Sequence, residues 1–135
     1  MLAYGQTGSG KTFTMGSSSV DTVLPEEQGI IPRAVRQVFD EIQGRKRAQP
    51  GWSCRVLVSF LEIYNEEVKD LLHPKTPSKS ISIREDAAGG IFVLGVQERA
   101  VSSRAELFAA LAAGSSFRQT GETLMNAHSS RSHSL

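Results

Sequence analysis

Residues 3–16 read AYGQTGSGKTFTMG, and residues 5–12 within them satisfy the pattern G-x-x-x-x-G-K-[S/T]. The apolar residues before the first glycine predict the end of a strand, and a helix is expected to start after Thr12. A strand, a glycine-rich turn and a helix in this order are the context in which such a loop holds phosphate. The stretch therefore predicts a phosphate-binding loop in an α/β fold.

The loop residues suit this chemistry. Gly5, Gly8 and Gly10 allow the backbone to curl until several N–H groups converge, and the helix start adds a partial positive charge. Lys11 is expected to reach the β- and γ-phosphates, and Thr12 offers a hydroxyl to Mg²⁺. The candidate nucleotide-binding residues are Gly5, Gln6, Thr7, Gly8, Ser9, Gly10, Lys11 and Thr12. The alternative, a flexible glycine linker, does not account for the predicted strand and helix on either side.

A second polar cluster, NAHSSRSH, occupies residues 126–133. Taken alone, such a run is typical of a solvated loop or the end of a helix. In a chain that also has a phosphate loop, the cluster is a candidate for nucleotide hydrolysis. This reaction needs a group that senses the γ-phosphate, a group that places water and often an arginine. Adjacent hydroxyls can donate to phosphate oxygens and accept from water. For His128 and His133 we expect a structural role, because no cysteine or carboxylate lies near them at metal-ligand spacing.

The segments between these motifs predict alternating helices and strands. Apolar residues recur at helical spacing over 31–42, with Pro32 in the first turn, and the basic stretch GRKRAQPGW is expected to end that helix. RVLVSFLEIY at 55–64 predicts a central strand covered on both faces. NEEVKDLL at 65–72 predicts a short helix with Asn65 as N-cap, stopped by Pro74.

The last third of the chain predicts a hairpin and a helix. EDAAGG at 85–90, between two strand-like stretches, predicts a hairpin turn in which both glycines supply positive φ angles. Ser103 and Glu106 form a capping box, so a helix is expected from there to about Arg118 or beyond, weakened in its middle by Gly114.

Composition excludes several classes of protein. The 135 residues carry a net charge of +1, which gives no reason to expect direct binding of nucleic acid or of an acidic membrane. Cys54, the single cysteine, cannot form an internal disulfide, so a reducing compartment is expected. No apolar run approaches the roughly 20 residues that a membrane span requires, and no signal peptide is evident.

Four stretches, in this order, resemble the kinesin motor domain, the microtubule-stimulated ATPase. They are residues 3–16, GIIPR at 29–33, VSFLEIYNEEVKDLL at 58–72, and NAHSSRSH at 126–133. The resemblance covers essentially all 135 residues and implies an incomplete kinesin-type α/β fold, a P-loop NTPase-like mixed sheet flanked by helices. IREDAAGGIFVLGVQE at 83–98 is similar to the chromosome-associated branch of the family and its ciliary relatives.

By this resemblance, residues 5–12 bind the phosphates of ATP, residues 17–28 form a variable loop and residues 126–133 form the first switch. The implied catalytic residues are Asn126, Ser129, Ser130 and Arg131, and the implied Mg²⁺ ligands are Thr12 and Ser130. Arg131 is expected to pair with a glutamate of the second switch. Residues 78–96 correspond to a hairpin region that lies partly against tubulin, where Arg84 is either a tubulin contact or an exposed strand arginine.

The family also has segments that these residues do not match. They are an earlier strand with an Arg-Pro segment that contacts adenine, an Asp-Leu-Ala-Gly-Ser-Glu second switch, the main tubulin-binding helix and the neck linker. Residues 86–89 imitate half of the second switch, but they precede the serine cluster, lack the glutamate and fall in a predicted turn, so we do not interpret them as a switch. Residues 1–135 are therefore expected to be an internal part of a motor domain.

The expected function is that of the ATP-binding part of a microtubule motor, which hydrolyses Mg-ATP to drive movement along microtubules in the cytoplasm. Microtubules are the expected partner, no membrane partner is expected, and the parent protein is expected to be a homodimer through other segments. The parent is expected to be an ATPase and the isolated fragment to be inactive. Two alternatives are a truncated, non-catalytic fragment that binds nucleotide weakly and another P-loop phosphotransferase, which leaves NAHSSRSH unexplained.

Overall fold

The computed structural model describes residues 1–16, 28–124 and 132–135. These residues form two compact units: unit 1 comprises residues 1–56 and 100–112, and unit 2 comprises residues 57–99 and 113–135. The helices are α1 (Lys11–Met15), α2 (Ile30–Ala48) and α3 (Arg104–Leu124). The strands are β1 (Val56–Val58), β2 (Leu61–Tyr64), β3 (Glu67–Asp70), β4 (Ser82–Glu85), β5 (Ile91–Leu94), β6 (Arg99–Val101) and β7 (Ser132–Ser134).

The strands form three small sheets. The order in the largest is β3-β2-β7, while β4 pairs with β5 and β1 pairs with β6. In the described residues, no helix has both the length and the apolar character to cross a bilayer.

Helix α2 is the main element of unit 1 and confirms the predicted amphipathic helix. Pro32, Val35 and Phe39 are buried along one face. The helix continues through GRKRA, where the sequence predicted its end. Glu41 accepts a hydrogen bond from Arg45 at 2.8 Å, and the basic last turn suits the negative end of the helix dipole. The helix ends at Ala48, and the C-cap residue Gln49 has an extended backbone, as is favoured before proline.

The expected strand before the glycine loop is absent from the described structure. Residues 1–5 have no regular structure, and Met1, Leu2 and Tyr4 are 94%, 80% and 89% exposed. A strand is stabilised by hydrogen bonds to a neighbour, and no described strand pairs with these residues. The prediction of a strand at residues 1–4 is therefore wrong for this structure.

Gly16, which follows α1, and Gly29, which precedes α2, are in backbone contact. A Cβ added to Gly16 would lie 2.6 Å from the backbone nitrogen of Gly29, and one added to Gly29 would lie 2.6 Å from the Cα of Gly16. Both distances are too short for a side chain, so the two backbones meet directly. The end of α1 and the start of α2 are thus held together within unit 1.

The stretch 55–64, predicted as one strand, is two strands in different sheets. Ser59 and Phe60 separate β1 from β2. In β2, Leu61 and Glu62 are buried and Ile63 and Tyr64 are half-buried, so this part is covered on both faces as predicted.

The predicted helix at 65–72 is wrong, because residues 61–70 form a β-hairpin. Strand β3 pairs with β2 in antiparallel register, with Tyr64 opposite Glu67 and Ile63 opposite Val68. Asn65 and Glu66, the two residues of the turn, have φ angles of 49° and 65°. Two left-handed residues in succession are the geometry of a type I′ turn, which matches the twist of paired strands. Strand pairing therefore prevails over the local helix signal.

Asp70 ends this hairpin and fixes the chain beyond it. Its side chain is fully buried, and Oδ1 accepts hydrogen bonds from the backbone N–H groups of Leu72 and His73 at 3.0 Å. Oδ2 accepts a third, also at 3.0 Å, from the backbone N–H of Gln97. One carboxylate thus ties the turn after β3 to the segment between β5 and β6.

The hairpin β4–β5 confirms the prediction at 85–90. Asp86 Oδ1 accepts hydrogen bonds from the backbone N–H groups of Ala88 and Gly90, both at 2.8 Å. Only Gly89 of the two glycines has a positive φ, at 82°. Residues 86–89 thus lie in the predicted turn, in agreement with the decision not to interpret them as a switch.

Helix α3 begins with the predicted cap in a modified form. Ser103 Oγ accepts from the backbone N–H of Glu106 at 3.2 Å, but the Glu106 carboxylate accepts from the backbone N–H of Ser102 at 2.7 Å, one residue earlier than in a standard capping box. The helix runs unbroken to Leu124, through Gly114. A Cβ on Gly114 would collide with the ring of Phe60, so close packing within unit 2 requires glycine there.

Replacing Glu66 by glycine distinguishes the hairpin from the helix predicted for the same residues. In the hairpin, Glu66→Gly should raise the free energy of unfolding by about 1 kcal/mol, because glycine adopts left-handed φ without steric cost. In a helix the same change would lower it by about 1 kcal/mol. Urea unfolding of the complete motor domain measures the difference. Glu67→Gly, at the first residue of β3, serves as the control and should be destabilising, because glycine weakens a strand.

Replacing Gly29 by alanine tests the contact between α1 and α2. We expect Gly29→Ala to destabilise the domain by about 1–3 kcal/mol, since the new methyl group meets backbone atoms that cannot rotate away. Gly44→Ala is the matched control, because nothing lies within 4 Å of an added Cβ there, and it should stabilise the helix by about 1 kcal/mol. Thermal unfolding of both variants is the measurement, and equal midpoints would contradict the contact.

Candidate functional site

The glycine loop of unit 1 contains glycines with positive φ angles. Gly8 and Gly10 have φ angles of 83° and 87°, in the region that favours glycine. No atom lies within 4 Å of a Cβ added to either residue, so the backbone conformation, and not a lack of space, requires glycine. The backbone N–H of Ser9 donates to the carbonyl oxygen of Gln6 at 3.2 Å and closes the turn.

The loop leads directly into the first turn of α1. Gly10 is the N-cap residue, no side chain caps the helix start, and its first turn contains no acidic residue. The backbone N–H of Thr14 donates to Gly10 at 2.8 Å, which leaves the earlier N–H groups of the helix without an intrahelical acceptor. Such N–H groups, next to a tight glycine turn, suit an anion.

Lys11 places its charge over this loop. Nζ donates to the carbonyl oxygens of Gly5 and Gln6 at 2.7 and 2.8 Å, so the ammonium group lies against the start of the loop. Thr12 follows on the first turn of α1 and is exposed, as are residues 5–10. The positive charge, the N–H groups at the helix start and the exposed hydroxyl fit the phosphates of a nucleotide and a Mg²⁺ ion bound beside them.

The second predicted cluster falls mainly outside the described residues. Asn126, His128, Ser129, Ser130 and Arg131 lie there, as does most of the loop predicted at 17–28. The roles given to these residues remain predictions.

Ser132 and His133, the last two residues of the motif, are described. They belong to strand β7, where the sequence indicated a loop or the end of a helix. Tyr64 lies opposite Ser132 and Ile63 opposite His133 in the antiparallel pair with β2. The backbone N–H groups and carbonyl oxygens of Leu61 and Leu135 extend this pairing with two hydrogen bonds of 2.8 Å. The end of the motif is therefore part of the sheet in unit 2.

Sequence reasoning missed a polar cluster around Glu62, which we call the Glu62 cluster. It consists of Glu62 on β2, Arg118 on α3 and Ser132 on β7, and all three belong to unit 2. A signal was available, because a carboxylate within the apolar stretch VSFLEIY predicts a buried polar partner. The identity of the partners could not be read from the sequence, since they follow 56 and 70 residues later.

An open cavity of about 650 Å³ lies in unit 2. Residues 72–77, with Ser80, Gly95 and Gln97, line it. None of the predicted site residues is among these lining residues.

Known proteins resemble the chain over its whole length. The family model of the kinesin motor domain matches residues 1–135. Kinesin-related protein 8 of Dictyostelium discoideum is 47% identical over 135 residues, which are 100% of this chain and 7% of that protein. Kinesin-like protein KIN-5A of Arabidopsis thaliana is 44% identical over 144 aligned residues, covering 100% of this chain and 13% of that protein.

A solved structure of a fast kinesin is similar to this fold. Its TM-score is 0.85 at 39% sequence identity, over 98% of this chain and 36% of the solved chain. This similarity confirms the predicted α/β fold of kinesin type. The fold described above therefore corresponds to about a third of the solved chain.

Removing the ammonium group from the loop tests the candidate nucleotide site. Lys11→Ala should weaken ATP binding roughly ten- to hundredfold, because a charge-assisted hydrogen bond to phosphate is lost. Equilibrium binding of ATP to the complete motor domain measures this effect. Lys46→Ala, which removes an exposed lysine from α2, is the control and should leave the affinity unchanged. An unchanged affinity in Lys11→Ala would contradict the assignment of the site.

Proposed function

Because the chain belongs to the kinesin motor domain family, we propose that it forms the ATP-binding part of a microtubule motor. The proposed motor hydrolyses Mg-ATP to drive movement along microtubules. The observation that carries the proposal is the glycine loop, with Lys11 bound across it and an uncapped helix start behind it. The chain spans 7–14% of the length of the curated relatives it matches, so motor activity is proposed for the whole protein.

In this proposal, residues 5–12 bind the phosphates of ATP. The backbone N–H groups at the start of α1 surround the phosphate tail, and Lys11 exchanges its two carbonyl acceptors for phosphate oxygens, which are stronger acceptors for a cation. Thr12 and Ser130 are the proposed ligands of Mg²⁺. When bound, the ion neutralises charge on the β- and γ-phosphates.

The serine and arginine residues of 126–131 are proposed to carry out hydrolysis. Ser129 and Ser130 sense the γ-phosphate and orient the attacking water, because a hydroxyl can both donate and accept. Arg131 pairs with a glutamate of the second switch. Asn126 is the fourth proposed catalytic residue. Support comes from the motif itself and from the family match across residues 1–135.

The proposed partner is the microtubule, and the proposed location is the cytoskeleton in the cytoplasm. Hairpin β4–β5 supports a role in contacting tubulin, since Arg84 is exposed on β4 while Ile91 and Phe92 of β5 are 66% and 42% exposed. Residues 1–135 are proposed to be one part of the motor domain, in line with the 36% of the solved kinesin chain that they cover. Assignment to the chromosome-associated branch remains a prediction.

The test of this function is ATP hydrolysis by the full-length protein with and without microtubules. We expect microtubules to stimulate turnover. Lys11→Ala should lose nucleotide affinity, whereas Arg131→Ala should keep affinity and lose turnover, because the two side chains are assigned to binding and to hydrolysis respectively. Turnover that microtubules do not change would contradict a motor. Phosphate transfer to a small acceptor would indicate a phosphotransferase, and equal loss of affinity in both variants would contradict the two roles.

A further inference from the structure

The Glu62 cluster is a buried polar contact that the proposed mechanism does not use. Glu62 is 7% exposed and Ser132 is 8% exposed. Ser132 Oγ donates a hydrogen bond to Glu62 Oε1 at 2.5 Å. Arg118 Nε lies 3.3 Å from the same carboxylate oxygen and 3.2 Å from Ser132 Oγ. The carboxylate of Glu62 therefore contacts both strand β7, through Ser132, and helix α3, through Arg118.

The register of the sheet explains how these side chains meet. Ser132 is opposite Tyr64 on the neighbouring strand, and Tyr64 and Glu62 project from the same face because they are two residues apart. Ser132 is thus diagonal to Glu62 on that face, within reach of a long side chain. Arg118 of α3 approaches the same place and also lies 3.5 Å, through Nη2, from the carbonyl oxygen of Ser132.

Ser132 connects the Glu62 cluster to the serine–arginine segment of the sequence. Ser132 directly follows Arg131, so its backbone sets where the serine–arginine segment joins the sheet. The backbone pairing of β7 with β2 holds this junction along the strand. The side-chain contacts with Glu62 and Arg118 add a second restraint, from the face of the sheet.

We propose that Glu62 and Arg118 are positioning residues that hold Ser132 and thereby set the efficiency of ATP hydrolysis. The inference rests on the proposed function of the serine–arginine segment. Neither residue belongs to the glycine loop, so the cluster acts on turnover and leaves nucleotide affinity to residues 5–12. Reacting groups must be held closely for efficient chemistry, so a loosened junction lowers the rate before it affects binding.

Ser132→Ala in the full-length protein is the variant that tests this role. It removes the hydroxyl that joins the strand to the carboxylate, while the Glu62–Arg118 ion pair remains. Removing Glu62 instead would leave a partly buried guanidinium without its carboxylate and would risk unfolding. Ser134→Ala is the matched control, because Ser134 lies directly opposite Glu62 on the same strand as Ser132 but is exposed. Ser132→Thr restores a hydroxyl with a residue that strands favour.

The measurements are microtubule-stimulated kcat, KM for ATP, the Kd of a non-hydrolysable ATP analogue and the Tm of each variant. We expect Ser132→Ala to lower kcat about tenfold, with KM and Kd within about twofold of wild type. Ser132→Thr should recover most of the rate, and Ser134→Ala should match wild type. A purely structural role would instead lower Tm and nucleotide affinity together with the rate.

Three results would overturn the inference. The first is a kcat in Ser132→Ala within twofold of wild type. The second is a loss of rate that is accompanied by equal losses of affinity and Tm. The third is equal impairment of Ser134→Ala. In all three cases the wild-type protein still hydrolyses ATP, so the proposed function stands. A wild-type protein that binds ATP without hydrolysing it would instead refute both the proposed function and the role of the cluster in turnover.

Discussion

Strand β2 forms hydrogen-bonded pairs on both of its edges, with β3 on one side and β7 on the other. Its buried residues place polar backbone groups away from water, where each must find a partner. The register is also decisive for the side chains. A slip of one residue between β2 and β7 would turn Ser132 to the opposite face from Glu62 and leave a buried carboxylate without its hydroxyl donor. The pairing of β2 therefore determines where the end of the serine–arginine motif lies within unit 2.

Features with local causes could be predicted from the sequence. The glycine loop, the amphipathic face of α2, the turn at 85–90 and the cap of α3 each depend on residues a few positions apart, so a short stretch contains the whole signal. The conformation of the candidate nucleotide-binding loop belongs to this class, since the left-handed φ angles of Gly8 and Gly10 and the contact of Lys11 with Gly5 lie within one octapeptide. The family was identifiable for the same reason, because its motifs are contiguous.

Features with distant causes were missed or wrong. Asn65 and the two glutamates after it carry a sound local signal for a helix start, yet pairing of β3 with β2 places Asn65 and Glu66 in left-handed conformations. The division of 55–64 into two strands depends on partners that come much later in the chain. Glu62 meets its partners through the same long-range arrangement, so the sequence shows an unusual buried charge without showing what neutralises it.

The backbone contact between Gly16 and Gly29 has a consequence for protein engineering and for natural variation. The backbones of Gly16 and Gly29 are in contact, so the two ends of the intervening sequence are held at one short distance whatever its length. Each doubling of such a segment costs only about 0.6 kcal/mol in closure entropy. An epitope or a reporter peptide inserted between these glycines would therefore begin and end at the same backbone contact, between the end of α1 and the start of α2.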